Sequence, residues 1–142
     1  MTDLRLERDF SVTPQRLFRA ISTRSDLLQW WGPEEVDVFE DTLDFTKTGP
    51  WLSVMRNKEG QRYKVSGHVT KVDPPKSVSF TWAWHDDTDA RGAESHVTFS
   101  VESTPTGARL TIDHRDLGDD DISANHEKGW SSSLRKLDAL LG

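Results

Sequence analysis

At 142 residues, with 34% hydrophobic and 30% charged residues and a mean hydropathy of -0.68, the chain has the length and balance of one soluble domain with a modest core. Its net charge of -6 excludes a phosphate-binding surface built from clustered Lys and Arg, and its zero cysteines exclude disulfides, thiolate nucleophiles and thiolate metal sites. No apolar run approaches the ~18 residues of a spanning helix, and Met1-Thr2-Asp3-Leu4-Arg5 does not begin a signal peptide, so no membrane or nucleic-acid partner and a cytoplasmic location are expected.

In chain order, Leu4, Leu6, Arg8 and Phe10 alternate with charged residues and predict a first strand. A helix follows at once, with Thr13 as its cap, Pro14 in its first position and Val12 spaced to staple against Leu17, while Phe18 and Ile21 continue the buried stripe. A second short helix is predicted over Ser25 to Trp30, capped by Thr23 in a box-like pair with Asp26 and ended by Gly32-Pro33. From Val36 the period becomes two: Val36 and Val38, then Trp51, Ser53 and Met55, then Tyr63, Val65, Gly67 and Val69. The next strand is the most aromatic, with Val78, Phe80, Trp82 and Trp84 on one face and Ser77, Ser79, Thr81 and Ala83 on the other. Val97, Phe99 and Val101, then Leu110, Ile112 and His114, repeat the pattern.

Short turn-rich breaks at Asn57-Lys58-Glu59-Gly60, Asp73-Pro74-Pro75 and Thr104-Pro105-Thr106-Gly107 favour antiparallel neighbours, and the polar loop from Asp86 to Gly92 is expected to be mobile. The run Asp119-Asp120-Asp121 precedes a helical pattern and reads as a solvated first turn, favourable to the helix dipole, rather than as a cation site. Finally Ile122, His126, Trp130, Leu134, Leu137 and Leu141 fall on one face of a long helix. The predicted architecture is a single α+β domain over residues 1–142, an antiparallel sheet of about seven strands whose apolar face is covered by the last helix.

Several of these stretches, in this order, carry a resemblance: Phe10-Ser11-Val12-Thr13-Pro14, Leu27-Leu28-Gln29-Trp30-Trp31-Gly32-Pro33, Gly49-Pro50-Trp51, Gly67 to Pro75 and His126-Glu127-Lys128-Gly129-Trp130. Over nearly its whole length the chain resembles START-like proteins of the SRPBCC superfamily, and most closely the activator of heat shock protein 90 ATPase homologue family in its stand-alone bacterial type. The resemblance implies the helix-grip fold, a curved sheet around a C-terminal helix with a cavity for an apolar small molecule. Two departures bear on it. Gly49-Pro50 stands where many relatives have Gly-Gly, so this strand is expected to start later or to run along an edge. The sequence is also expected to start directly with the first strand of the helix-grip unit, unlike the co-chaperone members with their additional N-terminal domain, so the resemblance is not expected to carry ATPase activation with it.

The candidate site follows from the inward faces: Leu28, Trp31, Trp51, Trp82, Trp84, His114, His126 and Trp130 would line the cavity. Adjacent helical positions point about 100° apart, so one of Trp30 and Trp31 enters the core while the other packs beneath the Gly-Pro turn, or else one walls a pocket mouth. His114 and His126 occupy apolar-face positions, as satisfied interior histidines or as proton carriers. By strand parity His68, His85 and His96 face outward. No metal motif, phosphate loop or nucleophile elbow is present, and no cofactor is expected: Gly129-Trp130-Ser131-Ser132-Ser133 lacks the second glycine and lies within a helix. Gly129 costs its helix about 1 kcal/mol relative to alanine, which close approach to the sheet or space for a ligand would explain. The leading expectation is non-catalytic binding of an apolar or aromatic small molecule. The alternatives are a chaperone-associated or stress-response interaction module and a cyclase- or hydrolase-like enzyme using His114 or His126, on a monomer or homodimer.

Overall fold

A computed structural model of the chain describes residues 3–34, 36–117 and 120–141, with only the backbone of 120–123. The Asp119-Asp120-Asp121 run and the Ile122 side chain therefore lie outside the described residues. The elements are β1 (Leu4–Phe10), α1 (Pro14–Ser22), α2 (Arg24–Trp30), β2 (Asp37–Asp41), β3 (Gly49–Arg56), β4 (Arg62–Asp73), β5 (Ser77–Trp84), β6 (Ser95–Thr104), β7 (Gly107–Arg115) and α3 (Asp120–Leu141). The strands form one seven-stranded antiparallel sheet in the order β1-β7-β6-β5-β4-β3-β2. Its inward face meets the helices, and this is the helix-grip arrangement that the resemblance implied.

Local chemistry explains most element ends. Thr13 Oγ1 accepts from the Arg16 N–H at 3.1 Å and Pro14 opens α1, so the predicted cap is made. The predicted capping box at Thr23 is not. Its hydroxyl donates back to the Arg19 carbonyl at 2.9 Å, and Asp26 pairs instead with Arg16 at 2.8 Å. Thr23 sits where α1 ends and α2 begins, and the last turn of α1 takes the hydroxyl first.

β3 also departs from expectation, for it starts at Gly49 and pairs with β4 from its first residue. Proline is tolerated because the N–H and C=O of Leu52 both face Thr42, which places the Pro50 nitrogen two residues earlier on the same side. Pairing with β2 has already ended at Asp41↔Ser53, so no ladder bond is lost there. The loop after β5 is tied down, contrary to the mobility expected of it. Asp86 Oδ1 accepts from the Thr88 N–H, the Thr88 hydroxyl and the Ala90 N–H, and His85 bridges to Arg91.

The core lies between the sheet's inward face and α1, α2 and α3, with Leu17, Ile21, Leu27, Phe45, Phe80, Phe99, Ile112 and Leu137 almost fully enclosed. Leu43 and Phe45, just beyond β2, are buried core residues that the strand reading passed over. Arg8 binds Asp138 at 2.7 Å and Lys136 donates to the Trp31 carbonyl at 3.3 Å, fastening α3 to β1 and to the end of α2.

Gly67 is a point of close backbone approach in the sheet. Trp51 lies directly across from it on β3, and its indole N–H crosses β4 to reach the Thr81 carbonyl on β5 at 3.2 Å. A Cβ at position 67 would collide with that same carbonyl. Gly67→Ala is therefore expected to lower stability by about 1–3 kcal/mol in urea unfolding, whereas Gly92→Ala, whose Cβ would sit at an ordinary 3.5 Å from the Trp84 carbonyl, is expected to stay within about 0.5 kcal/mol of the wild type.

Candidate functional site

Six indoles must be accommodated, and a buried indole needs an acceptor for its N–H. Trp30 and Trp31 are both buried, which corrects the expectation that only one of them would enter the core. Trp30 ends α2 and donates to the Ala20 carbonyl at 2.9 Å. Trp31 is no longer helical, with φ -66 and ψ 132, so the 100° rule does not apply to it. Its ring turns inward to lie between 5.6 and 6.5 Å from the rings of Trp30, Phe45, Trp51, Trp82 and Trp130, and its N–H donates to Ser53 Oγ at 3.0 Å. Gly32 then takes φ +81, which reverses the chain toward Pro33.

A buried polar chain runs behind this aromatic cluster. The Trp130 indole donates to His114 Nδ1 at 3.1 Å, so the ring carries its proton on Nε2 and donates to Ser95 Oγ at 2.7 Å. Ser95 passes its own proton to the Trp82 carbonyl at 3.3 Å. Both nitrogens of His114 are thus committed. Burial first, then the nearby His126 and His96, pushes its pKa down to about 3, so the ring is neutral in any ordinary buffer.

In front of the cluster a cavity opens between α3 and the sheet. Its inner chamber, about 140 Å³, is walled by Trp31, Pro33, Met55, Trp82, Trp84, His126, Gly129, Trp130 and Ser133. Pro33, Met55, Trp84, Asn125 and His126 continue into an outer chamber of about 530 Å³ that adds Val36, Asn57 and Tyr63. At the junction Trp84 stacks on His126 with ring centroids 6.2 Å apart and planes 21° apart, and donates to His126 Nε2 at 3.1 Å. Gly129 has a reason to be glycine that is not close packing. The nearest atom a Cβ there would meet is Pro33 Cγ at 3.9 Å, and the space beyond is cavity.

Trp31, Trp82, Trp84, His126 and Trp130 of the predicted set converge on this cavity. Trp84, 38% exposed at the end of β5, forms its rim rather than its interior. His114 lies beside His126 with ring centroids 4.6 Å apart, but behind the wall. Trp51 packs against Trp31 and Trp82 deeper in the core, and Leu28 is half-buried against that core; neither belongs to the chamber walls. Met55, Pro33, Gly129 and Ser133 are wall residues missing from the predicted set. His126, Gly129, Trp130 and Ser133 do share spacings of three and four, a signal the sequence carried.

A profile described as "Activator of Hsp90 ATPase homolog 1-like protein" matches residues 11–142. Among solved structures, the AHSA1 protein from Silicibacter pomeroyi is 64% identical, with a TM-score of 0.95 over 99% of this chain and 97% of that one. A protein from Chromobacterium violaceum, 23% identical, superposes with a TM-score of 0.83 over 98% of this chain and 96% of its own. A putative uncharacterized protein from Rhizobium leguminosarum, 21% identical, also reaches 0.83, over 99% and 93% respectively. These two share the fold. A search of curated proteins finds no match.

Removing the acceptor from the Trp31 indole in Ser53→Ala is expected to cost about 1–3 kcal/mol, measured by chemical unfolding, because the N–H is left buried and unpaired. The His114 linkage sets a pH dependence. Its folded pKa lies below the unfolded value, so the unfolded chain binds the proton first as pH falls from about 6.5 to about 3. Stability is full above this window and falls within it by up to about 1.4 kcal/mol per pH unit. Unfolding curves across the window are expected to be flatter for His114→Gln than for the wild type.

Proposed function

The chain belongs to the Activator of Hsp90 ATPase homolog 1-like family, and within that frame we propose that it encloses an apolar or aromatic small molecule between β3, β5 and α3. The family and fold fit either a ligand-binding module or one of the Hsp90-ATPase-activator type, and the two connected chambers favour the first. Together they have the concave, aromatic-walled form of a small-molecule site. A protein-docking module would need a contiguous exposed apolar face, whereas among the described residues the exposed large apolar side chains are Phe39, at the β2 bulge, and Trp84, at the cavity rim. Enzymatic use of His114 is disfavoured, since either proton transfer at that ring breaks a buried hydrogen bond.

One observation carries the reading further than shape. Trp82 forms part of the inner wall and is 94% enclosed, yet its Nε1–H meets no acceptor among the described residues. An orphaned donor of this kind costs about 1–3 kcal/mol. The atom has no exposed surface of its own, so a ligand oxygen recovers that cost once a small shift of the Trp82 ring opens it to the chamber, and the occupant we infer is a flat ring with a carbonyl, ether or carboxylate acceptor at its inner end. The ring would lie among Trp31, Trp130 and Met55, and Trp84 over His126 would close the mouth.

The test compares naphthalene with 2-acetylnaphthalene, followed by tryptophan quenching. The carbonyl compound is expected to bind about 2–10-fold more tightly, Trp82→Phe to abolish that difference, and Gly129→Leu to weaken both at least tenfold by filling the chamber. Binding unaffected by Gly129→Leu would place the ligand elsewhere and sink the proposal.

A further inference from the structure

The outer face of the sheet holds a second cluster that the cavity does not use. Lys64, Ser66 and His68 alternate with inward Val65, Gly67 and Val69, and His85 follows the inward Trp84. Ser66 pairs across the ladder with Ala83, and the His85 N–H donates to the Lys64 carbonyl at 2.9 Å. Pairing thus runs past the end of β5 and makes Ser66 and His85 diagonal neighbours on one face. The His85↔Arg91 bridge then folds the loop back over them. His85 faces outward as parity predicts, but its side chain is only 9% exposed under this cover.

The hydrogen bonds have one direction. His85 Nδ1 lies 3.0 Å from Asp89 Oδ1 and 3.2 Å from the Asp89 carbonyl. Both are acceptors, so Nδ1 carries the proton. Nε2 is left as a base, and it receives the Ser66 hydroxyl at 2.7 Å. Asp89 adopts φ +67, a conformation aspartate tolerates, and this turns both its oxygens toward the ring. A hydrogen bond from Lys64 holds its carboxyl below the ordinary value, helped by the nearby His85, so it remains an anion. On the other side of the hydroxyl, Arg91 Nε donates to Ser66 Oγ at 3.0 Å and a terminal nitrogen donates to the Ser66 carbonyl at 3.0 Å. A groove of about 760 Å³ runs from these residues over Pro50 and Leu52.

We propose that Ser66 is the nucleophile of an acyl-transfer site on the outer sheet face, with His85 as its general base and small carboxylic esters as its substrates. Serine, base and orienting carboxylate stand in the order that defines such sites by geometry rather than by sequence position. Ser66 Oγ attacks the ester carbonyl carbon while its proton passes to His85 Nε2, and Arg91, still paired through Nη1 with Glu94 at 3.3 Å, shifts its Nε from Ser66 Oγ to the charge that develops on the carbonyl oxygen. Collapse breaks the bond to the alcohol, which leaves with the proton from His85. Water, deprotonated by the same nitrogen, then releases the acid and restores Ser66. The acyl chain lies along Pro50 and Leu52, so short apolar acyl groups fit. Asp89 acts only through the ring and is a positioning residue. The site is independent of the cavity and of any ligand held there.

An alkyl fluorophosphonate reads the first step directly: the Ser66 oxygen bonds to phosphorus, fluoride leaves and the proton goes to His85. Intact mass and peptide mapping are expected to show one adduct, on Ser66, which is absent in Ser66→Ala and forms about 100-fold more slowly in His85→Gln. Asp89→Asn is expected to slow labelling and change its pH profile, with partial rescue in Asp89→Glu. Tryptophan emission confirms that each variant keeps its core. No adduct on the wild type, an adduct at another residue, or an unchanged rate in folded His85→Gln would overturn the assignment.

Discussion

The burial of the Trp31 indole is the constraint on which the other features depend. A ring of that size gains most by leaving water, but its N–H must still find an acceptor. Both requirements are met because the residue stands one position past the end of α2, where the backbone is extended and the side chain can turn into the sheet. Ser53 supplies the acceptor and aromatic rings surround the indole, all edge-on or tilted. Gly32 follows in a left-handed conformation, with Met55 and Val36 close beside it. That turn delivers Pro33 to the wall opposite Gly129. The cavity is therefore a consequence of how one tryptophan is satisfied.

Strand alternation then allows β4 and β5 to present different chemistry on their two faces. Val65 and Trp82 build the core while Ser66 and Thr81 face away from it, and the two populations meet at Gly67, where the Trp51 indole crosses β4. The inner face is buried and aromatic, with a histidine held neutral by burial. The outer face is polar and partly wet, and its ion pairs are exposed, so they orient groups more than they stabilise the fold. Glu34 illustrates the same division at the helix side: Arg135 and then Ser132 hold its carboxyl below the ordinary value, an arrangement that positions the Gly-Pro turn against α3.

Where local rules act alone, the residues predicted the outcome. Period-two alternation marked all seven strands, the Thr13-Pro14 pair marked the start of α1, and the spacing of Trp130, Leu134 and Leu137 marked the buried face of α3. Where two elements compete for one group, they did not. Thr23 lies between two helices and serves the first. Pro50 is harmless only because β2 stops short of it. Phe39 sits at a bulge that turns it outward between Arg56 and Arg62, at 5.1 Å from each guanidinium, and no pattern in β2 announces that.

The site divides along the same line. By itself the sequence determined which residue types face inward: tryptophans, a histidine in the last strand and another in the last helix, and a glycine where a helix would prefer none. These follow from periodicity, which is a property of neighbours in the chain. Only the tertiary structure decided that His114 spends both nitrogens inside the core, that Trp82 keeps an N–H without an acceptor among the described residues, and that Ser66, His85 and Asp89 meet on the outer face. Those outcomes depend on distances between atoms from separate elements, set by strand register, a bulge and a loop that folds back. Hydrogen bonding is decided over tenths of an ångström, and periodicity carries no information at that scale.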